Sequence, residues 1–149
     1  MQEVELFALA GNTLQRLEPL ARRMGVRLDL EGEQAVLRGI PQLLDSIVYN
    51  LCDNAIKYNR ENGSVTVSVK NEVSAVILSV ADTGIGIPAE HFERIFERFY
   101  RVDKSRSKEM GGTGLGLSIV KHGAKIHNAR IELVSTPGAG TVITLRFPK

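Results

Sequence analysis

The apolar positions of the chain divide it into helical and extended segments. From Phe7 to Met24 they recur at three- and four-residue steps, which is typical of an amphipathic helix, and Gly25 suits its C-cap. We expect a break or kink at Gly11-Asn12 or at Pro19, because glycine and proline both disfavour a helix interior. Three further helices are predicted: Pro41 to about Tyr58, a short one from Pro88 to about Phe99, and about Leu115 to His127.

Between the helices, apolar residues occur at every second position or in short continuous runs, and both patterns predict strands. The run from Ala75 to Ala81 is apolar on both sides except at Ser79, so it is predicted to lie centrally in a sheet. The six predicted strands are Val26–Leu30, Ala35–Arg38, Ser64–Lys70, Ala75–Ala81, Ile131–Ser135 and Thr141–Phe147. Because pairs of strands alternate with helices, we expect a mostly antiparallel sheet with helices on one face.

Composition limits the classes of protein that fit. The 149 residues favour a single domain, 1–149, and 43% apolar with 24% charged residues is ordinary for a globular fold. The one cysteine, Cys52, excludes an internal disulfide framework and a cysteine-based metal site. No apolar run approaches the roughly 20 residues of a membrane helix. A net charge of +2 gives no reason to expect nucleic acid as a partner.

A polar stripe follows one side of the predicted helix from Pro41 to Tyr58. At about 100° per residue, Asn50, Asn54 and Lys57 share this stripe, and Asp53 lies at its edge. Each mid-helix asparagine costs about 0.6 kcal/mol relative to alanine, so a purely solvated face would more often carry glutamate or lysine. Amide oxygens are hard ligands that suit Mg²⁺. A metal site and a plain solvated surface both remain open.

Two glycine-rich strings carry the other candidate chemistry. The first, 82–88, follows the central strand and begins with Asp82, which is either a turn-forming residue or an acceptor for an exocyclic amino group such as that of adenine. The second, 111–116, precedes a helix, where free backbone N–H groups favour phosphate. It lacks the Lys-Ser/Thr of a Walker loop and the spacing of a Rossmann fingerprint.

Cationic residues precede the second glycine string. Arg98, Arg101 and Lys104 line its approach, and phosphoryl transfer needs positive charge near the transferred group. The polar segment 102–113 has the length of a loop that covers a site. We interpret the three histidines as structural or surface residues: His91, His122 and His127.

Taken together, the motifs resemble the catalytic ATP-binding domain of sensor histidine kinases of two-component systems, within the Bergerat-fold ATPases. Four blocks match in order over nearly the whole chain. They are 50–58 (N box), 82–88 (G1 box), 93–103 (F box) and 112–121 (G2 box). The resemblance implies an α/β (α+β) two-layer sandwich with a mixed, mostly antiparallel sheet of about five strands and three main helices on one face. It also implies ATP and Mg²⁺ as cofactors.

By resemblance, the site residues take specific roles. Asn54 coordinates Mg²⁺, and Asn50 is a second ligand or orients water. Lys57 contacts phosphate and Tyr58 packs on the nucleotide. The adenine wall is Asp82 with Gly84, Gly86 and Ile87. The hinge of an ATP lid (103–113) and its phosphate-facing backbone are Gly112, Thr113, Gly114, Leu115 and Gly116. Arg98 and Arg101 assist the phosphates or a docked partner, and they join Asn50 and Lys57 as the residues expected to be catalytic.

Among the Bergerat-fold ATPases that the chain resembles, one position distinguishes the kinases from the hydrolytic enzymes. Hydrolytic Bergerat relatives carry a glutamate where this chain has Asn50, and an amide cannot act as a general base. The expected nucleophile is instead a histidine on a separate dimerisation domain of the same kinase, with a response regulator as an indirect partner. Residues 1–24 then resemble the junction after that domain. We expect a cytoplasmic portion of a sensor kinase, in contact with a membrane only through parts outside this chain.

Two alternatives share the fold. One is a stand-alone serine kinase of the anti-sigma-factor type, against which the block 96–101 argues, and the other is a nucleotide-binding module without transfer activity. A departure from the family pattern is Gly123, which stands inside the last helix at a cost of about 1 kcal/mol and is expected to loosen it.

Overall fold

The chain forms a layer of helices packed on a β-sheet. The computed structural model describes residues 1–101 and 115–149, and the elements below are those of the described residues. The α-helices are α1 Leu6–Met24, α2 Pro41–Lys57 and α3 Gly116–Ile126. The strands are β1 Gln2–Glu5, β2 Arg27–Gly32, β3 Val36–Gly39, β4 Ser64–Asn71, β5 Ala75–Asp82, β6 Arg130–Thr136 and β7 Gly140–Pro148. None of these helices combines the length and apolar character that a membrane crossing requires.

The main sheet has five strands in the order β2-β4-β5-β7-β6. β2 and β4 pair in parallel and the other pairs are antiparallel, so the sheet is mixed. β5 is the middle strand, as its apolar residues on both sides predicted. In β4, Val65, Val67 and Val69 are fully buried while the residues between them are partly exposed, because the helices cover one face. The predicted two-layer sandwich is therefore confirmed.

Two short strands form a separate sheet that the sequence pattern did not predict. β1 pairs antiparallel with β3, with Val4 opposite Leu37. β3 was predicted as a strand, but it does not join the main sheet. β1 was missed because four residues at the start of a chain carry too little alternation to be distinguished from the helix that follows. This small sheet leads directly into α2.

α1 is continuous, so the break expected at Gly11-Asn12 or Pro19 is wrong. Burial of apolar residues before and after the proline, including Leu17 and Ala21, holds the helix together. The Glu5 carboxylate caps its first turn by accepting hydrogen bonds from the Phe7 and Ala8 amides at 2.7 and 3.3 Å. Gly25 ends α1 at φ 69°, in the left-handed region that a C-cap glycine favours.

The helix predicted from Pro88 to Phe99 is largely absent. Only Ala89–His91 forms a single 3₁₀ turn, and irregular turns follow it. Phe99 has φ 65°, which is incompatible with a helix, and Ile95 anchors the segment by being buried. The apolar spacing of this segment therefore does not mark a buried helix face, since Ile95 is buried but Phe99 is exposed.

Candidate functional site

Asp82 ends the central strand β5 with one carboxylate oxygen fixed. Oδ1 accepts hydrogen bonds from the Gly84 amide at 2.8 Å and the Thr141 amide at 3.3 Å. No donor among residues 1–101 and 115–149 bonds the second oxygen, Oδ2. Burial raises the pKa of this carboxyl above its usual value, although the two amide hydrogen bonds act in the opposite direction. The geometry leaves Oδ2 able to accept a hydrogen bond from a ligand.

The glycines after Asp82 let the loop lie directly against neighbouring backbone. A Cβ added to Gly84 would overlap the carbonyl oxygen of Tyr58, the residue that caps the end of α2. Gly86 has φ 76°, and a Cβ there would overlap the carbonyl oxygen of Thr136. A side chain is excluded by space at both positions, and at Gly86 by backbone conformation as well. The predicted wall residues therefore lie between the end of α2 and the end of β6.

An arginine that the sequence did not single out holds this loop. The Arg60 guanidinium donates to the Gly84 carbonyl at 2.9 Å and to the Gly138 carbonyl at 2.6 Å. The Gly138 amide in turn donates to the Ile85 carbonyl at 2.8 Å. We call Arg60 with its two carbonyl partners the Arg60 clamp. It ties the Asp82 loop to the turn between β6 and β7.

A buried asparagine completes the support. Asn59 is only 3% exposed, and its Nδ2 donates to the Ser64 carbonyl at 2.9 Å. Its Oδ1 accepts from the Arg60 amide at 2.9 Å and from the Thr83 hydroxyl at 3.1 Å. On the other side of the loop, the Ile87 amide donates to the Ser135 hydroxyl at 2.7 Å. In the sequence, 59–63 only signalled a helix end, so no local pattern revealed these partners.

The polar stripe of α2 is present as predicted and partly buried. Lys57 Nζ lies 3.1 Å from the Asp53 carboxylate, and the two side chains are 21% and 22% exposed. The Asn54 side chain makes no hydrogen bond with any residue that the structure describes. A half-buried amide without a partner is costly unless water or a ligand satisfies it.

Asn50 links this stripe to the beginning of α3. Its Nδ2 donates to the Ser46 carbonyl at 2.7 Å, which turns Oδ1 outward from α2. Oδ1 lies 3.2 Å from the position that a Cβ on Gly116 would occupy. Gly116 is the first residue of α3, and the first amides of a helix have no partner within it. An acceptor-bearing stripe and an anion-attracting helix start therefore lie side by side.

The family comparison agrees with this arrangement. Residues 39–149, from the end of β3 to the end of the chain, match the family model described as "Histidine kinase-, DNA gyrase B-, and HSP90-like ATPase". The chain belongs to this ATPase family.

Individual relatives narrow the assignment within the ATPase family. The phosphate regulon sensor protein PhoR of Pseudomonas aeruginosa is 41% identical over 145 residues, which cover 97% of this chain and 33% of PhoR. Among solved structures, the mycobacterial sensor histidine kinase MprB has a TM-score of 0.87 at 28% identity, covering 99% of this chain and 97% of that one. The catalytic domain of histidine kinase ThkA has a TM-score of 0.86 at 27% identity, covering 99% and 95%.

The chain spans about a third of the length of the curated relatives it matches. It covers nearly all of the solved catalytic domains. The resemblance to the ATP-binding domain of sensor histidine kinases is therefore confirmed.

The donor set of this ATPase domain fits Mg²⁺ carried by a nucleotide. Within the described ranges, no three His, Cys, Asp or Glu side chains come together as a metal cluster. The candidate ligands are instead the neutral amide oxygens of Asn50 and Asn54. Mg²⁺ keeps several waters and commonly takes one or two protein oxygens together with substrate phosphates, which matches this sparse donor set.

For the remaining predicted site residues, the structure gives no contact with the residues described above. Arg98 is exposed, with its guanidinium 5.6 Å from the centre of the Phe99 ring. In the described part of the chain, neither Arg98 nor Arg101 forms a hydrogen bond or ion pair with α2 or β5. The predicted lid at 103–113 lies outside the described residues, and so do Gly112, Thr113 and Gly114.

Proposed function

We propose that this domain binds Mg-ATP and donates the γ-phosphoryl group to a histidine on a separate dimerisation domain in two-component signal transduction. The observation that carries the proposal is the approach of Asn50 Oδ1 to Gly116. It brings Asn50, one of the two proposed metal ligands, close to the start of α3, and Asn54 lies about one turn further along α2. Family membership and solved relatives named as histidine kinases support the same proposal.

At the adenine end, Asp82 is the proposed reader of the base. Its Oδ2 accepts a hydrogen bond from the exocyclic amino group, while Oδ1 stays fixed by the Gly84 and Thr141 amides. Such a bond to a charged acceptor is stronger than one between neutral groups. Gly84, Gly86 and Ile87 form the wall around the base because the Arg60 clamp and the Ser135 hydroxyl hold their backbone.

At the phosphate end, the stripe of α2 is the proposed contact surface. Asn54 and Asn50 hold Mg²⁺ through their amide oxygens, and the ion supplies charge neutralisation for the transferred phosphate when it is bound. Lys57 reaches phosphate oxygens while its ammonium group stays near Asp53, since an ammonium has three donors. Leu115 and Gly116 place the first backbone amides of α3 toward the phosphates. Tyr58 packs on the nucleotide at the end of α2.

The identity of Asn50 favours transfer to a protein over hydrolysis. A carboxylate at this place could take a proton from water, whereas an amide has no basic site near neutral pH. The domain therefore holds ATP for a stronger nucleophile. We assign that role to a histidine on a dimerisation domain that residues 1–24 join to this one, with a response regulator as the later acceptor.

Other assignments extend the proposal beyond the described geometry. Residues 103–113 act as an ATP lid, with Gly112, Thr113 and Gly114 as its hinge and phosphate-facing backbone. Arg98 and Arg101 contact the phosphates or the docked dimerisation domain. Both arginines belong to a segment of irregular turns, and exposed Arg98 is accessible to a docked domain.

The deciding experiment combines the purified domain, Mg-ATP labelled in the γ position and a histidine-bearing dimerisation hairpin. We expect acid-labile, base-stable label on the hairpin, and none on a hairpin whose histidine is replaced by glutamine. Acid-stable label on a serine of a partner protein would instead indicate the serine-kinase alternative, which no relative reported above favours. Tight ATP binding without transfer to any partner would support the alternative of a nucleotide-binding module without transfer activity.

A further inference from the structure

His127 is the only buried histidine among the described residues, and both of its ring nitrogens are hydrogen-bonded. Nε2 accepts a hydrogen bond from the Ile40 amide at 3.0 Å. Nδ1 lies 2.7 Å from the carbonyl oxygen of Gly123, to which it donates. An imidazole that accepts at Nε2 and donates at Nδ1 is the neutral Nδ1–H tautomer. The ring is further fixed by an edge-on contact with Phe147, with ring centroids 6.0 Å apart at 85°.

His127 Nε2 serves as the acceptor for the Ile40 amide and so replaces a cap that α2 lacks. Ile40 is the N-cap residue of α2, and no side chain caps this helix from within its own segment. In a capping box, a Glu or Gln three residues after the N-cap reaches back to the N-cap amide, but here that position is Leu43. His127 provides the acceptor from the other helix, immediately after the end of α3. Gly39 permits this approach, because a Cβ there would lie 2.9 Å from His127 Nε2.

The same helix pair carries the nucleotide site at its other end. Gly123 of α3 faces Ile47 of α2, with an added Cβ 2.9 Å from Ile47 Cδ1. Gly116 of α3 faces Asn50. Later residues of one helix thus pair with earlier residues of the other, so α2 and α3 run antiparallel in close contact. Ile40 and Asn50 are ten positions apart, which is about 15 Å along a helix.

We propose that His127 is a positioning residue for the nucleotide site, because its hydrogen bond to Ile40 fixes the axial register of α2 against α3. The register decides how closely Asn50 Oδ1 approaches Gly116, since both helices are rigid over this length. A slide of one helix by an ångström would move the candidate metal ligands relative to the first amides of α3, and errors of this size impair catalysis strongly. This inference rests on the function proposed above.

Two substitutions separate the link to α2 from the bond within α3. Glutamine places an acceptor oxygen near the position of Nε2, so H127Q keeps the bond to Ile40 and loses the bond to Gly123. Asparagine places its amide near the position of Nδ1, so H127N keeps the bond to Gly123 and loses the link to Ile40. Each variant therefore loses one hydrogen bond of similar strength. H127F loses both bonds and retains the ring packed on Phe147.

The readouts are calorimetric affinity for Mg-ATP, the rate of transfer to the hairpin, urea midpoints, and the NMR resonances of the Asn50 side-chain amide and the Gly116 backbone amide. We expect similar losses of stability in H127Q and H127N. Mg-ATP affinity should fall about tenfold in H127N and in H127F, and stay within about twofold of the parent in H127Q. The Asn50 and Gly116 resonances should shift in H127N and H127F but not in H127Q.

Equal affinities and equal resonance shifts in H127N and H127Q would overturn the positioning role and leave His127 as a packing residue. If H127N does not fold, the comparison of H127F with H127Q decides in the same way. A parent domain that binds no Mg-ATP would refute the proposed function instead, and the resonance shifts, which need no nucleotide, would still test the positioning role.

Discussion

Replacing Asp82 by asparagine separates the recognition of the base from the stability of the fold. The fixed half of the group survives, because the asparagine Oδ1 can accept the same two amides that Asp82 Oδ1 accepts at 2.8 and 3.3 Å. The free half changes from an acceptor into an NH₂ donor that would face the adenine amino group. A hydrogen bond to a charged acceptor contributes about 1.5–3 kcal/mol, so ATP affinity should fall about 10- to 150-fold.

The same substitution should raise, not lower, the unfolding free energy of the nucleotide-free domain. Burial raises the pKa of Asp82 in the folded state, so the folded protein holds this proton more tightly than the unfolded chain does. The stability that the parent has at low pH is therefore partly lost as pH rises from the ordinary carboxyl pKa, about 3.9, through the raised folded value. D82N has no such loss. Its unfolding free energy relative to the parent should increase with pH across that window and then level off.

Calorimetry with two nucleotides and urea unfolding over a pH series test both halves. Inosine triphosphate carries a carbonyl where ATP carries the amino group, so D82N should bind it better relative to ATP than the parent does. An equal loss of affinity for both nucleotides would show that Asp82 does not read the base. A D82N domain that is less stable than the parent at neutral pH would refute the assignment of a buried, destabilising carboxylate.

Three further substitutions probe other parts of the site. Asn54→Ala should abolish the Mg²⁺ dependence of nucleotide binding in calorimetry with and without chelator, whereas the exposed Asn12→Ala should not; unchanged binding in the first variant would remove the metal assignment. Gly123→Ala should destabilise the domain, because about 1–3 kcal/mol of overpacking against Ile47 exceeds the gain in helix propensity of about 1 kcal/mol. Ile47→Val, which lacks Cδ1, should offset that loss in a double-mutant cycle, and additive effects would contradict the contact. Arg60→Ala removes the Arg60 clamp and should weaken ATP about tenfold with faster amide exchange in residues 84–86; unchanged exchange would exclude the clamp as a support.

The parts of the fold that local pattern governs were predictable from the sequence. β4 alternates valine with small polar residues, and one face of it is buried. β5 is apolar on both sides and is the central strand. α2 carries a polar stripe beside an apolar one, and both persist in the structure. In each case the spacing of apolar residues within one segment was enough to predict the element. A helix or strand that is buried on one side carries its apolar residues on that side, at its own period.

What could not be predicted depends on partners distant in sequence. The separate sheet of β1 and β3 requires a contact across more than thirty positions. Pro19 reads as a helix breaker, yet α1 passes through it because the surrounding apolar residues are buried. The Arg60 clamp joins residues that no spacing rule connects. Such features are set by tertiary packing, and the residues involved have no distinctive local pattern.

Gly123 has a tertiary role that its helix propensity does not reveal. Helix propensity alone predicted a loosened helix, but the absent side chain is what allows α3 to lie against Ile47. Close packing of the two helices at this point also limits the distance between them at Gly116, about two turns earlier in α3, and at Asn50, just under one turn later in α2. A residue that lowers the intrinsic stability of α3 thus permits the helix contact next to the proposed metal ligands and the proposed phosphate-facing amides. The glycine in the core of the helix pair and the glycine at the start of α3 have the same physical reason, which is that α2 lies so close to α3 that a Cβ at either position would crowd a side chain of α2.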